Sequence, residues 1–198
     1  MSIALTYTVQ GQASELEELI HGCIRNERNA QEKLYKLFYS RMMSVVRRYI
    51  DSEMQAEEVL NNGFLRAFQK VQQYTFQGSF EGWLRKIFVN LALENYRQEK
   101  KRFNFLNDYG KDNSDFWDTP EDDSLEVGDI PRQELLNIIR EMPEGYRTVF
   151  NLVIFEDIPH KEIGAMLGIT ENASRSQYFR AKTFLQKKVQ SMLNKKYI

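Results

Sequence analysis

The stretch from Glu162 to Lys182, EIGAMLGITENASRSQYFRAK, admits little besides two helices joined by a tight turn. Ile163, Met166 and Leu167 form an apolar i, i+3, i+4 stripe, Gly168 is placed to end that helix, and Thr170 to cap the next. On the second helix Ser174, Tyr178, Ala181 and Leu185 fall on one face, whereas Arg175, Ser176, Phe179, Arg180 and Thr183 fall on the other. The first face is expected to pack and the second to stay free. A free face flanked by arginines suits a DNA major groove, where guanidinium groups reach phosphates or guanine edges and Phe179 can meet sugar or a thymine methyl. The alternative is a solvated basic helix in an ordinary helical domain, because the same geometry also occurs as plain packing.

Composition narrows the fold around this motif. A hydrophobic content of 42 % is enough to bury a core, and no alternating Val/Ile-rich runs bounded by turn residues appear, so an all-α chain is expected. No apolar run approaches the length that crosses a bilayer, and the N-terminus lacks the basic-then-apolar order of a secretory signal. The expectation is a cytoplasmic protein with no membrane insertion. The single cysteine, Cys23, lies among Leu16, Leu19, Ile20 and Ile24 and reads as a buried thiol. His21 and His160 are not in a metal-ligand spacing, and no Gly-rich phosphate loop or nucleophile constellation is present. No catalytic residue, metal or cofactor is expected.

The net charge of -1 conceals a strong partition. Nine acids stand against one base, Lys111, between Phe103 and Ile130, and the rest of the chain then carries 26 bases and 19 acids. Two basic blocks are separated by an acidic connector. Its clustered Asp and Ser and its Thr119-Pro120 and Ile130-Pro131 pairs read as a flexible linker, although Phe105, Leu106, Phe116 and Trp117 suggest that parts of it dock. The expected layout is therefore residues 1–102, a linker at 103–130, and a second helical domain at 131–198.

In the first block, Ser14 and Glu17 suggest a capping box before one helix, and Leu34, Leu37, Phe38, Met42, Val45 and Tyr49 mark a second. A third is expected from Asp51 or Ser52 to Gln73, buried through Leu60, Phe64, Ala67 and Val71. Its opposite stripe, Glu58, Asn62, Leu65 and Gln69, sets a leucine within acidic and amide groups, which resembles an anchor for a partner as much as ordinary surface. Ser79 is placed to cap a fourth helix from Phe80 to Lys101, with Lys86, Asn90, Leu93, Arg97 and Lys100 on an outward, basic stripe. Tyr74 and Phe76, in the loop before it, either stack on unpaired bases or complete the core. In the second block, Leu135 to Ile139 open a helix that stops near Met142-Pro143, Tyr146 to Ile154 form another, and four terminal lysines prolong the last helix with solvated charge.

Two basic helical modules around an acidic linker, with a helix-turn-helix in the second, resemble the extracytoplasmic-function group of bacterial sigma factors. AEEVLNNGFLRAF (Ala56 to Phe68) is similar to that group's polymerase-binding helix, and FEGWLRKIFVNLALENYRQEKK (Phe80 to Lys101) to its -10-reading helix. The segment from Met142 to Lys182 is similar to the -35-reading domain. The resemblance implies a region-2 helical bundle and a region-4 helix-turn-helix domain. It further implies that Glu58, Asn62, Leu65 and Gln69 meet the clamp helices of the largest subunit of core RNA polymerase. Tyr74, Phe76, Lys86, Asn90, Arg97 and Lys100 would meet promoter DNA around the melted -10 element, and Arg175, Ser176, Gln177, Phe179, Arg180 and Lys182 the -35 element. An anti-sigma factor is a further implied partner. Departures from the group's pattern are Asn62 in place of an acid, Gly63 inside a helix, Pro159 in place of a serine cap, Ser174 in place of an apolar residue and Gln177 in place of an arginine. Against this stand two rivals: a two-domain helix-turn-helix regulator that does not dock on polymerase, and a helical protein-interaction module.

Overall fold

The computed structural model describes residues 15–106 and 130–196, and those residues are helical with no strand among them. The order is α1 (residues 15–24), α2 (Arg28–Val46), α3 (Glu53–Lys70), a 3-10 turn (Val71–Gln73), α4 (Phe80–Leu106), α5 (Arg132–Arg140), α6 (Glu144–Ile154), α7 (His160–Leu167) and α8 (Glu171–Lys196). The chain divides into two compact units, Met1–Ala92 and Leu93–Ile198. Ser14 and residues 107–129 of the expected linker at 103–130 lie outside the described residues, whereas 103–106 continue α4.

In the first unit, caps and apolar stripes act together. The Ser52 hydroxyl accepts the Gln55 N–H at 3.4 Å to start α3, and the Ser79 hydroxyl accepts the Gly82 N–H at 3.1 Å to start α4. Leu34, Phe38 and Met42 of α2, Leu60 and Phe64 of α3, and Leu84 and Phe88 of α4 are all buried; α2 packs on α3, and the Phe38 ring of α2 lies 5.6 Å from the Phe80 ring of α4. Phe88 meets Phe64 edge-on at 5.2 Å, and Gly63 is what lets α3 approach that closely. A Cβ there would come within 2.5 Å of Phe88 Cδ1, so the glycine that weakens the helix locally is required by packing. Polar pairs fix the rim: Tyr39 donates to Glu57 at 2.7 Å, and Arg41 pairs with Glu81 at 2.7 Å. The Cys23 thiol is fully buried, as expected, and burial, then the nearby Glu27, pushes its pKa up to about 11.

The second unit is organised by α8, against which α5, α6 and α7 pack. Its core joins Ile138, Ile139 and Met142 to Phe150, Ala181, Leu185 and Val189. Gly168 ends α7 in the left-handed region (φ 69°, ψ 34°), and the Thr170 hydroxyl accepts the Ala173 N–H at 3.1 Å to start α8. At the same turn a Cβ on Gly164 would meet the Ile169 carbonyl at 2.8 Å. The expected packing face of α8 is observed, with Ser174, Ala181 and Leu185 buried and Tyr178 half-buried. In the second half of α8, Lys187 and Lys188 are exposed as expected, while between them and the helix end Val189 is buried and Met192 and Leu193 pack on the core. Lys188 is paired with Glu141 at 2.7 Å.

Candidate nucleic-acid interface

α8 carries the second-unit candidates at graded depths. Arg175 is exposed and held by its own helix, with its guanidinium 2.8 Å from Glu171. An exposed i, i+4 pair of this kind contributes only about 0.3–0.5 kcal/mol, so it orients Arg175 without preventing exchange for a phosphate. Ser176, Gln177, Phe179 and Arg180 are half-buried, and Arg180 donates weakly to the Tyr146 hydroxyl at 3.4 Å. The face opposite the core is therefore partly accessible rather than fully free. Lys182 lies deeper than the other candidates. It is only 7 % exposed, with its ammonium 5.2 Å from the centre of the Tyr178 ring, so it belongs to the packing of α8 and does not present a free charge.

Ser174, the polar residue at an otherwise apolar position, has a structural explanation. Its hydroxyl lies 2.9 Å from His160 Nδ1, which ties the start of α7 to α8, while the imidazole lies 5.5 Å from Tyr178. A buried hydroxyl at this position thus has its hydrogen bond. Pro159 caps α7 through its carbonyl, which accepts from Glu162 at 2.9 Å and Ile163 at 3.0 Å.

On α4, Lys86, Asn90 and Arg97 are exposed on one side of the helix, whereas Leu93, expected beside them, is fully buried. Leu93 thus interrupts the outward stripe although it shares the helical face, and one turn later Arg97 Nε donates to its carbonyl at 3.3 Å. Lys100 continues α4, and its side chain lies outside the described residues.

The loop between the 3-10 turn and α4 separates two residues that the sequence treats alike. Tyr74 is only 8 % exposed, meets Phe80 edge-on at 5.2 Å and Trp83 at 5.7 Å, and donates its hydroxyl to the Gly78 carbonyl at 2.8 Å. The Tyr74 ring is part of the core, the second of the two places the sequence leaves open for it. Phe76 is 40 % exposed and adopts φ 60°, a left-handed backbone that is uncommon for a bulky side chain. Its ring lies 5.0 Å from that of His21 on α1, with 26° between the planes.

Along α3, Glu58, Asn62, Leu65 and Gln69 are all exposed, with Leu65 at 57 %. Met54, eleven residues before Leu65 and hence on the same side of the helix, is 80 % exposed and was not singled out from sequence. The signal was available in the spacing. Among the described residues no group of acidic, histidine and cysteine side chains could hold a metal ion.

Comparison with known proteins agrees with this arrangement. Residues 34–102 match the family model for Sigma-70 region 2, and residues 132–185 match that for Sigma-70 region 4. Together the two take in more than half of the chain. The RNA polymerase sigma-H factor of Pseudomonas aeruginosa is 22 % identical over 89 % of this chain and 95 % of its own length. The ECF RNA polymerase sigma factor SigW of Bacillus subtilis is 26 % identical over 82 % of this chain and 86 % of its own. The ECF RNA polymerase sigma-E factor of Haemophilus influenzae is 22 % identical over 89 % and 96 % respectively. With a region 2 built on α2 to α4, a region 4 built on α5 to α8, and relatives of this kind along nearly their whole length, the chain belongs to the sigma-70 family, among its extracytoplasmic-function members.

Proposed function

We propose that this chain is an alternative sigma factor: it binds core RNA polymerase, recognises -10 and -35 promoter elements, assists strand opening, and leaves catalysis to the polymerase. The observation that carries the reading is the presence of both sigma-70 regions, in order, within one chain. Residues 1–102 would serve the polymerase and the -10 element, and residues 131–198 the -35 element. The exposed side of α3, with Glu58, Asn62, Leu65 and Gln69, supports docking on the clamp helices of the largest subunit, because an apolar residue rimmed by polar groups is a common form of interface anchor. Lys86, Asn90, Arg97 and Lys100 would face DNA near the melted region, with Phe76 at its edge. Arg175, Ser176, Gln177, Phe179 and Arg180 would face the -35 element.

The working place of such a factor is the cytoplasm, and among the described residues no helix is long and apolar enough to cross a membrane. Sequestration by an anti-sigma factor belongs to the same proposal; copurification from uninduced cells with no inhibitory protein would contradict it. The interface assignments are tested by three surface substitutions. Leu65→Asp is expected to abolish association with core polymerase while leaving helicity unchanged. Arg97→Glu and Arg175→Glu are each expected to weaken promoter binding by the assembled holoenzyme and to lower its salt slope by about one. Unchanged association for Leu65→Asp would move the chain to the class of regulators that act without polymerase docking.

A further inference from the structure

A helix that reads a DNA groove does so in one rotational setting, because a small turn about its axis moves its outward side chains from base edges to phosphates. Apolar packing is non-directional and sets that rotation loosely, whereas a hydrogen bond is short and directional. The packing face of α8 carries such a bond. Ser174 is fully buried, and its hydroxyl lies 2.9 Å from Nδ1 of His160, the first residue of α7. One turn further along α8 the Tyr178 ring lies 5.5 Å from the same imidazole. His160 therefore meets α8 at two successive turns: the first contact fixes rotation, and the pair fixes position along the axis.

The surroundings hold the imidazole in that place. Asp157 has a left-handed backbone (φ 53°), the Ile158 N–H donates to the Leu152 carbonyl at 3.1 Å, and Pro159, whose ring restricts φ, precedes α7 with φ -69° and ψ 147°. On the far side, Tyr178 is backed by Phe150 of α6, stacked at 6.1 Å with 26° between the planes, and by Lys182 Nζ at 5.2 Å from the ring centre. Directly after Ser174 come Arg175, exposed and paired with Glu171, and Ser176, half-buried. Whatever fixes Ser174 fixes the direction in which these two side chains leave the helix. Ser174 and Pro159, which precedes His160, are two of the positions at which the chain departs from the group's pattern, and the contact links them.

We propose that His160 is a positioning residue for -35 recognition: through Ser174 it fixes the rotational setting of α8, and with it the base preference at the positions met by Arg175 and Ser176. The role requires no contact between His160 and DNA. The inference rests on the sigma-factor reading and adds to it a residue of α7 that lies outside the set assigned to the DNA face.

The test uses the full chain assembled with core polymerase on a promoter library randomised across the upstream element, with transcript abundance read for each template. Ser174→Ala and His160→Ala should each shrink the gap between favoured and disfavoured bases by roughly fivefold, the factor that corresponds to one lost hydrogen bond. The change should be confined to the base pairs met by the first turns of α8. His160→Asn, whose amide takes the place of Nδ1 and bonds to the hydroxyl in either direction, should restore the preference. The double substitution His160→Phe with Ser174→Ala replaces both partners by apolar groups, which leaves the thermal midpoint close to that of wild type, yet it should keep the flattened preference. A wild-type profile in that double variant overturns the inference, because packing would then suffice. Unaltered profiles in both alanine variants overturn it as well, as does a uniform loss across all templates, or a failure of His160→Asn to restore the preference. Absence of specific starts from wild type overturns the sigma-factor reading and this inference with it, whereas specific starts with unaltered variant profiles overturn the inference alone.

Discussion

Replacing a helix-interior glycine with alanine ordinarily stabilises a protein by about 1 kcal/mol, and at Gly63 the structure predicts the opposite sign. The added Cβ would come within 2.5 Å of Phe88 Cδ1 and 2.6 Å of Cζ, where carbon atoms ordinarily sit about 3.5–4.0 Å apart. Relief requires the ring to retreat by about 1 Å. Phe88 cannot retreat freely: it is fully buried and wedged edge-on against Phe64. Overpacking of this kind costs about 1–3 kcal/mol, and the severity of the overlap places Gly63→Ala near the upper end. Subtracting the helix-propensity gain leaves a net loss of about 1–2 kcal/mol. The assay is urea unfolding followed by Trp83 fluorescence in a Trp117→Phe background, which removes the other tryptophan of the chain. The double substitution Gly63→Ala with Phe88→Leu separates causes, since trimming the ring should make the alanine less harmful than it is alone, with a coupling of about 1 kcal/mol or more. A higher unfolding midpoint for Gly63→Ala would refute the reasoning, because helix propensity would then outweigh the packing conflict.

Three further outcomes follow from particular contacts. Ser174→Ala nearly conserves volume but removes the bond to His160, so the full chain should lose about 1 kcal/mol of stability, with faster amide exchange confined to α7 and the start of α8; unchanged exchange would show that the bond does not couple these helices. Thr170→Ala should cost about 1 kcal/mol by removing the α8 cap, read as a lower thermal midpoint. The Cys23 thiol, with its pKa raised from 9.0 to about 11, favours the folded state in its neutral form; this contribution is complete below about pH 9 and is lost as pH rises through 11. Alkaline destabilisation should therefore be shallower in Cys23→Ala, and the native thiol should resist alkylation at pH 8 until the chain is unfolded.

How much was legible from sequence depended on the distance over which each feature is decided. The caps at Ser79 and Thr170 and the Gly168 helix end are settled within four residues, and each forms as expected; the start of α3, expected at Asp51 or Ser52, is decided by the Ser52 hydroxyl. The faces of α3 and α8 follow from helical period, so Leu65 was recognisable as exposed and Leu185 as buried. Features decided by distant partners were not legible. Tyr74 and Phe76 are two residues apart and chemically alike, yet only Tyr74 meets Trp83 and Phe80, while Phe76 meets His21. Lys182 reads as a free cation until Tyr178 is seen beneath it, and Gly63 reads as a weakness until Phe88 is placed against it. α4 continues to Leu106, past the Lys101 expected from the pattern.

The most direct measurement is multiple-round transcription by core RNA polymerase, with and without this chain, on a library of genomic fragments, with transcript 5′ ends mapped. The account predicts starts that appear only when the chain is present and share two spaced sequence elements upstream, and it predicts their loss with Leu65→Asp. Starts that do not depend on the chain, or that persist undiminished with Leu65→Asp, would contradict it.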